Sequence, residues 1–126
     1  MRAIDTNVLV RLFVRDDPAQ AESAEAFVAP GAWVSHLVLA ETVWVLNSVY
    51  DLNAARIAVA LEMLIEHDRL VVQDVEVVRA ALAAFKQQPA VGFTDCLIVE
   101  VARKLGHRPL GTFDRSMSRL DGAVRL

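Results

Sequence analysis

The sequence predicts an α/β fold in which a central, mostly parallel sheet is covered by helices on both faces. Short apolar segments with strand character alternate with longer segments that have helical periodicity. The length of 126 residues suits one domain, and no repeat, low-complexity stretch or linker interrupts the chain. We therefore expect a single domain over residues 1–126, built on four to five short strands.

The elements follow in order along the chain. A first strand ends at Asp5, and a short helix continues to about Val14. Asp17 followed by Pro18 is a strong helix start, because Asp caps the first turn and Pro fits the first helical position. The pattern then predicts strands at 32–35, 70–72, 109–113 and 123–126. It predicts helices at 18–28, 36–49, 54–65 and 75–87, the last three capped by Ser35, Asn53 and Asp74, and a loop at 89–92. A further helix opens at Thr94 or Asp95, reaches Leu105 and stops at Gly106.

Composition excludes several classes of protein. No apolar run approaches the roughly 18 residues that a membrane helix needs, and Asp5 interrupts the N-terminus before a signal sequence can form. The single cysteine, Cys96, rules out an internal disulfide framework and argues against a zinc cluster. We expect a cytoplasmic protein with no membrane association.

The formal net charge of −3 is unlike that of a nucleic-acid-binding protein, but the charge is unevenly distributed. From position 101 onward, basic residues outnumber acidic ones: Arg103, Lys104, Arg108, Arg115, Arg119 and Arg125 stand against Asp114 and Asp121. Such a tail is compatible with a phosphate-facing edge, and equally with a solvated surface that has scattered arginines.

Four acids are candidates for chemistry. Asp5 and Asp114 each end a predicted strand, where ligands bind in open parallel sheets, although an ordinary cap or turn role explains each of them too. Glu41 has only apolar neighbours one turn away on its helix, so we expect it to interrupt a buried face. The residues one turn after Asp95 on its helix are apolar, so we expect its side chain to point inward. A second explanation is that an acid is favoured in the first turn of a helix.

Carboxylates gathered at one edge of a sheet repel each other unless a cation binds or one of them has a raised pKa. Oxygen ligands without a cluster of His or Cys suit Mg²⁺ or Mn²⁺. One or two such ions can activate water and stabilise a leaving oxygen in phosphodiester hydrolysis. The four acids therefore predict a metal-dependent hydrolase.

The chain resembles PIN domains, and most closely the ribonuclease toxins of VapC type. The resemblance rests on Asp5-Thr6-Asn7 after the first strand, Glu41 in the helix after Ser35, the segment 93–98 (FTDCLI) and the segment 110–114 (LGTFD). Each motif is short, but the four acids occur in the order and context typical of the family. The resemblance covers essentially the whole chain. The resemblance implies a PIN-like three-layer sandwich.

By resemblance, Asp5, Glu41, Asp95 and Asp114 form the catalytic and metal-binding site for Mg²⁺ or Mn²⁺, with Asp5 and Asp95 as the first ligands. Asn7 and Thr112 would support the acids through hydrogen bonds. The resemblance also implies endonucleolytic cleavage of RNA, a homodimer, and a cognate antitoxin that covers the site. Among the basic residues of the tail, we expect Arg115 and Arg119 to contact the RNA backbone.

Other functions compete with this interpretation. A haloacid-dehalogenase-like phosphatase requires a second Asp two residues after the strand-end Asp, and Asn7 occupies that position. A housekeeping PIN nuclease in RNA processing and a non-catalytic binding module with the same fold both remain compatible with the sequence. The RNA target, the number of metal ions and the type of antitoxin are left open.

Overall fold

Three short parallel strands form the sheet of the N-terminal half. The computed structural model describes residues 1–126, which divide into two compact units, 1–73 and 74–126. In the first unit the strands lie side by side in the order β1, β2, β3, and both pairings are parallel. The elements of this unit are β1 (Arg2–Ala3), α1 (Thr6–Phe13), α2 (Pro18–Val28), β2 (Ala32–Val34), α3 (His36–Ser48), α4 (Ala54–Glu66) and β3 (Leu70–Val72).

The second unit contains two helices and a pair of parallel strands. Two 3-10 turns, Pro89–Val91 and Met117–Arg119, separate its longer elements. Those elements are α5 (Val75–Gln87), α6 (Phe93–Lys104), β4 (Leu110–Thr112) and β5 (Ala123–Arg125). Strands β4 and β5 pair in parallel, with Thr112 opposite Arg125.

The predicted fold class is confirmed, since helices alternate with five short strands whose pairings are all parallel. The strands are hydrogen-bonded as a set of three in the first unit and a set of two in the second. None of the helices combines the length and the apolarity that crossing a membrane requires.

Most helix starts are where the capping residues predicted them. The side chains of Asp17, Ser35 and Asn53 each accept a hydrogen bond from the backbone N–H three residues on, at the start of α2, α3 and α4. Each contact satisfies one of the amide donors that the first turn of a helix leaves without a partner. Gly106 ends α6 with φ +82, as a C-terminal glycine should.

Three local predictions were wrong. Helix α6 begins at Phe93 behind Gly92, so neither Thr94 nor Asp95 is its cap. The segment 89–91 forms a 3-10 turn rather than a loop. Asp74 precedes α5 but has a left-handed backbone and makes no side-chain cap; its carboxylate instead accepts a 2.6 Å hydrogen bond from Lys104 Nζ.

Candidate active site

Asp5 lies between the end of β1 and the start of α1, and it caps that helix. Its backbone is extended, with φ −95 and ψ −178, and its Oδ1 accepts the N–H of Val8 at 3.1 Å. The side chain is exposed. A carboxylate has two oxygens, so the capping bond leaves Oδ2 available to a ligand. Capping and metal binding are therefore compatible roles for Asp5.

Asn7 and Thr112 were expected to support the acids. Asn7 is exposed on the first turn of α1, and its side-chain amide makes no hydrogen bond within the chain. Thr112 ends β4, and its Oγ1 accepts the backbone N–H of Asp114 at 3.0 Å. Thr112 thus fixes the backbone of a neighbouring acid, whereas the role of Asn7 stays a prediction.

Glu41 does not interrupt a buried face, contrary to the expectation from its neighbours. It is exposed on α3, and the flanking Leu37 and Trp44 are themselves 84% and 63% exposed. The buried side of α3 consists instead of Leu39, Thr42, Val43 and Leu46. The expectation that Glu41 interrupts a buried face was wrong, because α3 has apolar residues on more than one side. Its role as a metal ligand stays a prediction.

Asp95 lies in the first turn of α6 and is partly buried. Burial, and in addition the negative charge of Asp114, raise the pKa of Asp95 above its ordinary value. The position near a helix N-terminus favours the ionised carboxylate and by itself would lower this pKa. Asp95 and Asp114 are therefore near enough for their charges to interact, in a setting that disfavours two negative charges.

Asp114 follows β4 and organises the turn after it. Its Oδ1 accepts the N–H of Met117 at 2.9 Å, and its backbone carbonyl accepts the N–H of Ser118 at 3.1 Å. The predicted turn role is present, and the exposed side chain keeps Oδ2 free of hydrogen bonds within the chain. Asp114 therefore resembles Asp5, because one carboxylate oxygen accepts a backbone N–H and the other remains available.

The donor chemistry near Asp95 suits a hard divalent cation. The adjacent Cys96 is buried, and burial together with the charges of Asp95 and Glu100 raises the pKa of its thiol to about 11. It remains a protonated thiol at neutral pH, so carboxylate oxygens are the ligands on offer. No group of three or more His, Cys, Asp or Glu side chains could hold a metal ion in this arrangement. The carboxylates that the structure brings together are the pair Asp95 and Asp114.

The basic tail divides into paired and free cations. Arg103 forms ion pairs with Glu100 and Asp121, and Lys104 forms one with Asp74. Arg115 and Arg119, which were expected to contact RNA, are exposed and make no ion pair. Both lie in the turn that follows Asp114, within the second unit. They are therefore free to bind an anion.

Two features near the acids had not been anticipated. Phe113, between Thr112 and Asp114, is 80% exposed, although phenylalanine is usually buried in proteins. Phe113 directly follows the last residue of β4, in the segment that leads into the turn at Asp114. Asp5 also lines a groove between α1 and α2. Sequence periodicity indicated neither feature, since it does not report which face lacks a partner.

Comparison with known proteins gives one match. The family model of the PIN domain matches residues 3–123, nearly the whole chain. No curated protein and no solved structure matches the chain. PIN domains are generally nucleases, so the match indicates a nuclease-type hydrolase function and an RNA substrate.

Proposed function

Because the chain belongs to the PIN domain family, we propose that it is a Mg²⁺- or Mn²⁺-dependent endoribonuclease that hydrolyses RNA phosphodiester bonds. The observation that supports this most is the pair Asp95 and Asp114. Two carboxylates whose charges interact, one of them partly buried, are destabilising unless a proton or a cation neutralises them. A divalent cation removes this repulsion at neutral pH.

The four acids have different parts in this proposal. Asp5 and Asp95 are the first metal ligands, and Glu41 and Asp114 complete the catalytic set. Oδ1 of Asp5 and Oδ1 of Asp114 each accept a backbone N–H, which orients the carboxylate and leaves Oδ2 for the metal. Asn7 and Thr112 support them, Thr112 through the amide of Asp114. When bound, Mg²⁺ or Mn²⁺ supplies activation of water and stabilisation of charge on the phosphodiester.

The residues after β4 support binding of single-stranded RNA. Arg115 and Arg119 are exposed cations without a partner, and guanidinium groups bind phosphate oxygens well. The exposed ring of Phe113 adjoins Asp114 and provides a flat surface against which a base can stack. Base stacking requires an unpaired base, so cleavage is expected in loops or single strands.

We further propose that the nuclease is the toxin of a type II toxin–antitoxin system, acting in the cytoplasm as a homodimer and inhibited by a cognate antitoxin. Support comes from the exposed apolar side of α3, where Leu37 and Trp44 flank Glu41. Apolar side chains of this size on a surface are typical of protein contacts. The family match spans both units, which supports one functional domain over residues 1–126.

The proposal is tested by replacing Asp5 with Asn, with Asp17→Asn as a matched control. Both aspartates cap a helix of the first unit through a 3.1 Å bond, and Asn retains that cap. Only the change at Asp5 removes a proposed metal ligand. We expect Asp5→Asn to lower RNA cleavage by about 100-fold or more, beyond the 10- to 100-fold typical of outer-shell changes. Asp17→Asn should cleave normally.

Metal dependence is measured in the same assay. EDTA should abolish cleavage by the wild-type protein, and Mg²⁺ or Mn²⁺ should restore it. Full activity of Asp5→Asn, or undiminished cleavage in EDTA, would refute the metal-dependent mechanism. Absence of cleavage for every RNA tested would favour a non-catalytic binding module. Co-purification with a small partner protein that inhibits cleavage would distinguish a toxin from a housekeeping nuclease.

A further inference from the structure

Asp5 lines a groove between α1 and α2 that has no assigned ligand. Its volume is about 510 Å³, within the range of small-molecule sites. Asp5 and Asn7 lie on its α1 side, and Gln20, Ser23 and Phe27 lie on its α2 side. All of these residues belong to the first unit. We call this feature the α1–α2 groove.

Three polar side chains in the α1–α2 groove have hydrogen-bonding groups without partners. Asn7 and Ser23 make no side-chain hydrogen bond within the chain, and both are exposed. Gln20 uses only its Oε1, which accepts a 2.8 Å bond from Nε of Arg11, so its amide N–H donors are free. Amide groups of Asn and Gln can read the hydrogen-bonding edges of nucleobases.

The charges in the α1–α2 groove favour a neutral ligand over a phosphate. Arg11 is the groove's cation, and it is already paired with Asp16 and hydrogen-bonded to the hydroxyl of Tyr50. Its remaining role is to orient Gln20 through the Nε–H bond. A phosphate would meet the carboxylate of Asp5, and among the residues that line the groove no unpaired cation offsets that charge.

Phe27 provides an aromatic ring on the α2 side of the groove. The guanidinium of Arg2 lies 3.9 Å from the centre of the Phe27 ring, and Nη2 of the same side chain donates a 2.8 Å bond to the carbonyl of Phe27. Both contacts stabilise the position of the ring. A flat heterocycle can lie against this ring while its edge meets the free amides.

We propose that the α1–α2 groove binds an unpaired nucleobase of the RNA, next to the phosphodiester that is cleaved, with Gln20 and Ser23 reading its edge. The proposal rests on the proposed nuclease function, because Asp5, which lines the groove, is a proposed ligand of the metal that acts on the phosphodiester. It predicts that cleavage depends on the identity of a base that flanks the cut.

The test compares base preference among variants on a pool of oligoribonucleotides randomised around the cut. Gln20→Glu keeps the oxygen that Arg11 binds and removes the amide donors, while Ser23→Ala removes one hydroxyl. Gln87→Glu and Ser48→Ala make the same changes at exposed sites outside the groove. We expect the wild-type protein to prefer one flanking base by roughly tenfold, as a pair of base-edge contacts provides. Gln20→Glu should lose that preference, Ser23→Ala should weaken it, and the controls should retain it.

A second measurement does not depend on cleavage. The side-chain amide NMR signals of Asn7 and Gln20 should shift on addition of one nucleoside monophosphate more than on addition of the other three. If the wild-type protein cuts no RNA but these shifts occur, the nuclease function fails and the base site stands. If it cuts RNA without base preference, or if Gln20→Glu keeps the wild-type preference, the base site is refuted. A contact with another protein would then be the alternative use of the groove.

Discussion

Glu41 on α3 and Asp95 on α6 are helical acids with similar sequence surroundings and opposite environments. Both have apolar residues one turn away, and Glu41 has four of them. Glu41 is nevertheless exposed, whereas Asp95 is partly buried beside a second carboxylate. The residue that the sequence pattern singled out most strongly is therefore the less constrained of the two in the structure.

The difference comes from how each helix distributes its apolar residues. Helix α3 has apolar residues around most of its circumference, so apolar neighbours do not reveal which side is buried. The side that packs inside contains a polar residue, Thr42, whose hydroxyl is buried without a partner. Helix α6 has a clearer division, with Phe93, Cys96, Leu97 and Val99 buried. Apolar neighbours predict burial only where the rest of the helix is polar.

The largest expected effect tests the two sides of α3 with one substitution at two places. Leu39 is 1% exposed and Leu37 is 84% exposed, although they are two residues apart on the same helix. Leu39→Ala should lower the free energy of unfolding by about 2–5 kcal/mol, because it leaves a cavity. Leu37→Ala should change it by less than about 0.5 kcal/mol. Urea unfolding measures both, and equal losses would mean that the Glu41 side of α3 is buried after all.

The next effect concerns catalysis. Asp95 is partly buried and interacts with the charge of Asp114, whereas an exposed Glu41 must be ordered when a metal binds, at an entropic cost. We expect Asp95→Asn to lower RNA cleavage by about 100-fold or more, and Glu41→Gln by about tenfold. The Mg²⁺ concentration that gives half-maximal cleavage should rise for both variants. A larger loss for Glu41→Gln would reverse the ranking and make Glu41 the more important ligand.

The fold could be predicted from the sequence because its signals are local. A cap at Asp17 is followed by Pro18, and the caps at Ser35 and Asn53 each act within one turn of helix. The strands are short apolar segments between such helices, and parallel pairing follows from the alternation. Asp74 does not cap its helix, because its carboxylate accepts a hydrogen bond from Lys104, which is distant in the sequence.

The candidate site was only partly predictable because its geometry depends on contacts between distant segments. From the sequence, a cap or turn role and a chemical role were alternatives for Asp5 and Asp114, but in each residue one carboxylate oxygen accepts a backbone N–H and the other is left available. The charge interaction of Asp95 with Asp114 joins residues of two different segments, which no local pattern encodes. The α1–α2 groove likewise depends on two helices and on the pairing of Arg11 with Asp16.

The smallest expected effect is the pH dependence that Asp95 contributes without metal. Its folded-state pKa is raised, so the folded protein binds more protons than the unfolded chain between the two pKa values. The unfavourable contribution of ionised Asp95 is therefore absent below the unfolded pKa and fully present above the folded one. In EDTA, Asp95→Asn should match the wild-type protein at the acid end and become more stable as pH rises, by at most about 1 kcal/mol because the side chain is partly exposed. Urea unfolding from pH 3 to 7 measures this difference, with Glu41→Gln as the reference for loss of an exposed carboxylate. If the advantage of Asp95→Asn instead grew as pH fell, Asp95 would be stabilised in its ionised form, and its repulsion by Asp114 would not be the reason to expect a cation there.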